Sequence, residues 1–174
     1  IREMIDNMIQ NSLDWEKDHP YELSAAMAAP QMGVLKRIII IRDDMEDKKN
    51  ASFTALIDPV VIKAEGKIKK DYEGCLSVPT IYGMVPRATK VRVKAKLEDG
   101  TEVRIKATDE LARTLLHEID HLDGILFIDH ARNRFEADKI LIENNLNEGK
   151  NVDWPDGYNV DGGKVTLTYN YGAE

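Results

Sequence analysis

Leu115-Leu116-His117-Glu118-Ile119-Asp120-His121-Leu122 is the stretch around which the rest of the chain is organised. Two imidazoles four residues apart on a helix project from one face, so both rings can reach a single metal ion. Glu118 stands between them, close enough to act on a metal-bound water without being a ligand itself. Upstream lies the only cysteine of the chain, in Glu73-Gly74-Cys75-Leu76-Ser77. A thiolate from Cys75 beside His117 and His121 would make three protein ligands and leave a fourth position open. That is how catalytic metal sites differ from closed structural ones.

The helix is predicted from its own residues. Thr108 is a cap candidate, Asp109 and Glu110 put acid in the first turn, and Gly124 supplies a stop. Leu111, Leu115, Ile119 and Leu122 recur at helical spacing as one apolar stripe. His117 and His121 lie well around the barrel from that stripe. The expectation is a central helix, packed on a core along one side and offering its metal-binding side to a cleft.

Upstream, Ile1, Met4, Ile5, Met8, Ile9 and Leu13 predict an amphipathic helix over residues 1–15, broken at His19-Pro20. His19 is expected to face solvent. Ile38–Ile41, four isoleucines between Arg37 and Arg42, predict a buried strand, and Asp43–Asn50 a solvated loop. Leu56–Ile62 is strand-like but carries Pro59, which favours an edge or a bulge. Lys63–Lys70 predicts the wet face of a hairpin. Val91, Val93 and Ala95, then Val103, Ile105 and Ala107, alternate on either side of Asp99-Gly100, a hairpin leading into the metal helix. Beyond Ile125–His130, residues 135–146 predict a second helix. Val165–Tyr171 predicts a strand in a C-terminal hairpin added to the sheet. Trp15, His130 and Trp154 belong to no motif and read as structural.

The bulk numbers exclude several classes. With 174 residues the chain suffices for one domain with a sizeable core. A net charge of −7 argues against a general nucleic-acid binder. A single cysteine makes no internal disulfide and fits a reducing cytosol. No apolar run approaches membrane-spanning length, and no signal-peptide pattern precedes the first helix. A cytoplasmic protein that binds neither nucleic acid nor membrane is expected.

Taken together, these segments resemble the peptide deformylase family. That family carries three motifs in order: Gly-x-Gly-x-Ala-Ala-x-Gln, Glu-Gly-Cys-Leu-Ser, and a helical motif that opens His-Glu and closes Asp-His. The second and third stand intact here. The first is Ser24-Ala25-Ala26-Met27-Ala28-Ala29-Pro30-Gln31, with both glycines replaced. Val85-Pro86-Arg87 is similar to the segment that follows the cysteine motif. The likeness covers roughly residues 21–130. Deformylases usually carry a further segment before this point, and the chain begins at Ile1 rather than a methionine. A native beginning upstream is therefore expected.

The resemblance implies an α+β fold, with the metal-binding helix packed against antiparallel sheets. It implies one catalytic domain over 1–174, with a C-terminal helix and β-hairpin extension at about 135–174. The implied function is metal-dependent removal of the formyl group from the N-terminal methionine of new polypeptides, releasing formate. One divalent ion per chain would be held by Cys75, His117 and His121. A thiolate and two imidazoles by themselves suggest zinc. The resemblance implies ferrous iron in the cell, with zinc, nickel or cobalt able to substitute. Glu118 would be the general base. The oxyanion would be met by the Gln31 side-chain amide, the Leu76 backbone N–H and the metal. Ala26 and Arg87 would contact substrate backbone, and Ala25 and Thr114 the methionine side chain. Arg113 lies on the same side of the helix with no implied role.

Two other functions stay open at this point. The altered first motif allows a deformylase-like protein with changed substrate or lost turnover. His-Glu-x-x-His also occurs in zinc endopeptidases, although those generally take their third ligand downstream. The partners implied are N-formyl-methionyl nascent peptides and transient proximity to the ribosome. The acidic tail offers no basic docking helix of the kind some family members use there.

Overall fold

The structure, a computed structural model, describes residues 1–19, 23–47, 49–130, 158–161 and 164–167, with backbone alone for 79–81 and the last two segments. In chain order come α1 (Arg2–Asp18), β1 (Ala26–Ala28), a 3-10 turn (Ala29–Met32), β2 (Ile38–Arg42), β3 (Phe53–Cys75) and β4 (Val78–Lys96). β5 (Glu102–Thr108), α2 (Asp109–Leu122), α3 (Phe127–His130), β6 (Tyr158–Asp161) and β7 (Lys164–Leu167) follow. Five strands make one sheet in the order β1-β2-β3-β4-β5. This is the α+β class that the sequence implies. The chain divides into two compact units, Ile1–Lys69 with Arg87–Leu126, and Lys70–Pro86 with Phe127–Glu174.

In the first unit, β2 explains its own composition. Ile39 and Ile41 join the core that α2 covers, while Ile38 and Ile40 are buried as well, and α1 packs against β1 and β2. A strand covered on both faces has no reason to alternate, and Ile38–Ile41 does not. β2 runs antiparallel to β1 (Met27 opposite Ile40) and to β3 (Ile40 opposite Ala55). On α1, Ile5, Met8 and Ser12 are the buried residues; the helix runs on to Asp18, past the predicted end. His19 is exposed and stacks on Trp15 at 4.2 Å.

Pro59 stands where the β2 side of β3 becomes an edge, as predicted, and the strand itself runs on unbroken. β3 continues to Cys75, and what ends at Asp58, with φ +50, is its pairing to β2. Lys63–Lys70 is exposed apart from half-buried Glu65, and it lies on the β3 arm of the hairpin that β3 and β4 make through the turn at Leu76-Ser77, as predicted. The hairpin predicted around Asp99-Gly100 is present, with Val93 opposite Ile105 and Ala95 opposite Val103. Val91, Val93, Ala95 and Ala107 meet Ala112, Leu115 and Ile119 of α2 in the core. Each large aliphatic side chain buried there contributes about 1.5–3 kcal/mol relative to exposure. The stripe on α2 is shifted from the prediction. Leu111 is 44% exposed and Ala112 takes its place.

In the second unit, the turn at Leu76-Ser77 joins β3 to β4. Val85 and Phe127 form a small buried cluster on which Cys75, Val78 and Ile128 pack. Gly74 is dictated by close approach, because a Cβ there would sit 2.6 Å from the Tyr82 ring. β6 and β7 pair antiparallel in a two-stranded sheet of their own, not as an addition to the five-stranded one. Residues 135–146, Trp154 and 168–171 lie outside the described residues. Among those described, no helix is long and apolar enough to cross a membrane.

Candidate metal centre

α2 is held firmly at its C-terminal end. Gly124, at φ +74, turns the chain so that its N–H meets His121 O at 3.2 Å, and Asp123 N–H meets Asp120 O at 2.9 Å. Arg37 places Nη1 3.2 Å from Leu122 O and 2.6 Å from Asp123 Oδ1, a cation at the negative end of the helix. The start is less conventional. Thr108 occupies the cap position without a side-chain cap bond, and Asp109 takes φ +50.

Along this helix His117, Glu118 and His121 are all buried, so the metal-binding side does not face open solvent. The two imidazoles stand edge to face, ring centres 4.8 Å apart and planes at 86°. Cys75 is half-buried at the end of β3. Among the described residues, Cys75, His117 and His121 are the group able to hold a metal ion, their ligand atoms all within 4.8 Å of one another. The donor set fits a borderline-soft divalent ion: one thiolate, two imidazoles and no carboxylate.

Asp120 matters more than the sequence suggested. Arg87 donates Nη1 to Asp120 Oδ2 at 2.6 Å, and the guanidinium is 7% exposed. Removing one partner of such a pair strands a charge in a poorly solvated place, typically at about 3–5 kcal/mol. Arg113, left without a role by sequence, is also buried and donates to Lys69 O at 2.9 Å. It anchors α2 to β3. Thr114 returns its hydroxyl to Glu110 O, one turn back, at 2.9 Å.

The first motif forms β1 and the 3-10 turn. Gln31 Oε1 accepts the Ala28 N–H at 2.8 Å, which identifies Nε2 as the other end of that amide. Ala26 and Ala28 share one edge of the strand, and Ser24 precedes it. Arg42 N–H bonds Ala25 O at 2.8 Å, and in an antiparallel pair the direction of backbone groups alternates. Ala25 and Met27 therefore face β2, and Ala26 turns its N–H and C=O outward along the outer edge of the sheet. Ala25 is half-buried, as is Leu76, in the turn after Cys75.

A buried His-Glu-x-x-His helix on an antiparallel sheet, with a cysteine beside the histidines, defines a metallohydrolase of the α+β class. The family model described as Polypeptide deformylase matches residues 1–136. A peptide deformylase of Caldicellulosiruptor bescii is 42% identical over 152 residues, 87% of this chain and 86% of that protein. One from Thermomicrobium roseum is 49% identical over 111 residues, 62% of each. Among solved structures, a peptide deformylase from Synechococcus elongatus in complex with actinonin matches with TM-score 0.66 and 36% identity. The match covers 82% of this chain and 71% of that one. A Met-Ala-Ser-bound class I type b peptide deformylase from Acinetobacter baumannii matches with TM-score 0.63 and 30% identity, over 74% of this chain and 79% of that one. The chain belongs to the polypeptide deformylase family, metal-dependent enzymes that take the formyl group from the amino terminus of polypeptides.

Proposed function

We propose that this chain releases formate from N-formyl-methionyl peptides in the cytoplasm, using Cys75, His117 and His121 as metal ligands and Glu118 as general base. The carrying observation is the convergence of those three ligand atoms within 4.8 Å on the helix that also buries Glu118. A divalent ion bound there would supply a Lewis acid, able to polarise a carbonyl and to lower the pKa of a bound water toward about 7. Ferrous iron is the ion we assign in the cell, with zinc, nickel or cobalt able to take its place.

The chain's own groups do the rest. Glu118 removes the proton of the attacking water and passes it to the amine nitrogen as the formyl C–N bond breaks, so that formate and a free amino terminus leave. Gln31 Nε2 and the Leu76 N–H donate to the oxygen on which charge develops. Losing one such donor costs about 3–4 kcal/mol of barrier. The outward N–H and C=O of Ala26 pair with the extended peptide, as an added strand pairs with a sheet edge. Ala25 and Thr114 border the methionine side chain. The hydroxyl of Thr114 is already bonded, which leaves its methyl for that contact. Arg87, held by the bond from Nη1 to Asp120, contacts the substrate backbone. Nascent chains as substrate imply transient proximity to the ribosome.

Metal analysis of anaerobically purified protein, paired with formate release from formyl-Met-Ala-Ser, tests this function. One equivalent of divalent metal with formate production is expected. Metal without formate would leave a deformylase-like protein without this turnover, and casein cleavage would favour an endopeptidase.

A further inference from the structure

A buried ion pair outside every motif grips the strand that the substrate would join. Arg42 has a fully buried side chain and Glu16 one that is 13% exposed. Arg42 Nη2 donates to Glu16 Oε1, and that same oxygen accepts the Ser24 N–H at 2.8 Å. Arg42 Nε donates to Ser24 O at 3.3 Å, and Nη1 to Asp47 O at 3.5 Å. The guanidinium carbon Cζ lies over the Phe53 ring, 5.1 Å from its centre. Both backbone groups of Ser24 are thus taken by side chains from α1 and β2.

Stability alone does not generally call for charges in such a place. Apolar residues of similar volume commonly replace a buried ion pair at no loss of stability. What the pair accomplishes is positional. An edge strand offers a row of N–H and C=O groups, which on β1 belong to Ala26 and Ala28, with Ser24 just before the strand begins. Ser24 is capped by Glu16 and Arg42, and the Ala28 N–H by Gln31. No described side chain bonds the backbone of Ala26. We propose that Glu16 and Arg42 are positioning residues that close the edge at Ser24, so that an extended peptide pairs with Ala26 in a single register. This rests on the deformylase function proposed above and adds to it a determinant of peptide binding supplied by residues that do not touch the substrate.

The test compares the metal-loaded chain with Arg42→Met, Arg42→Lys and the double variant Glu16→Met/Arg42→Met. Each is assayed for formate release from formyl-Met-Ala-Ser, for binding of Met-Ala-Ser by calorimetry, and for melting temperature. KM and the Kd for Met-Ala-Ser should rise about five- to tenfold in Arg42→Met, the worth of one backbone hydrogen bond, with kcat little changed. Arg42→Lys keeps the charge opposite Glu16 but lacks Nε, and should recover only part of the affinity. The double variant strands no charge, so it should fold and still bind weakly. If it binds Met-Ala-Ser as tightly as the unaltered chain, whatever its melting temperature, the pair is merely structural and the proposal is overturned. Calorimetry reads the outcome even if the unaltered chain releases no formate, so failure of the assigned function and failure of the register device are told apart.

Discussion

In the function proposed above, α2 and β1 serve the same centre in different ways. On α2 the working parts are side chains: two imidazoles, a carboxylate, and an aspartate fixed by Arg87. Every letter of that motif matches the family pattern. On β1 the working parts are backbone groups, and two of the family's letters are changed, to Ser24 and Ala26. Neither residue pays for the change in backbone strain. Among the described residues, the positive-φ residues other than glycine are Asp58 and Asp109. Glycine at these positions is therefore not needed for an angle closed to other residues, which leaves room beside the strand as its purpose. A site that acts through side chains is spelled out in sequence; one that acts through the main chain is held by whatever fixes the main chain.

Three substitutions probe this contrast. The largest effect belongs to His121→Ala, which should lose stoichiometric metal and bring formate release to background, because two remaining ligands bind poorly. Full metal content in that variant would remove His121 from the ligand set. Next comes Arg87→Met, which strands Asp120 and should cost about 3 kcal/mol in chemical denaturation. Arg87→Met/Asp120→Leu should regain most of that. If the single variant is as stable as the unaltered protein, the ion pair does not hold the helix. The smallest effect is expected from Ser24→Gly/Ala26→Gly. With no strain to relieve, it should raise kcat/KM only modestly by making room for peptide, while losing roughly 1–2 kcal/mol of stability to two added glycines. A fall in kcat/KM would mean that the strand is built around the larger residues.

The same division separates what was legible in the sequence from what was not. The hairpin at Asp99-Gly100, the buried isoleucine strand and the α2 motif were all readable, since periodicity and side-chain chemistry announce them. Leu111 and Ala112 exchanged places because a stripe read at helical spacing fixes the face only to within a residue. Pro59 marked the edge correctly, because a missing N–H ends pairing on one side, but how far the strand runs beyond it could not be read from that residue. Glu16 belongs to no motif, and neither Asp120, inside the third motif, nor Arg42, beside the isoleucine strand, shows a partner in sequence. Each is an ordinary charged residue whose partner lies far along the chain, 26 positions away for Glu16 and Arg42, so only the fold brings them together.

The central claim is that Glu118 acts as a base between two ligands. Metal content and formate release measured together on Glu118→Ala test it most directly. The variant should keep one equivalent of metal and its fold, while turnover falls on the order of 10²–10⁴-fold. A variant that loses its metal would make Glu118 a ligand, and one that keeps its turnover would place the base elsewhere; either result contradicts the account.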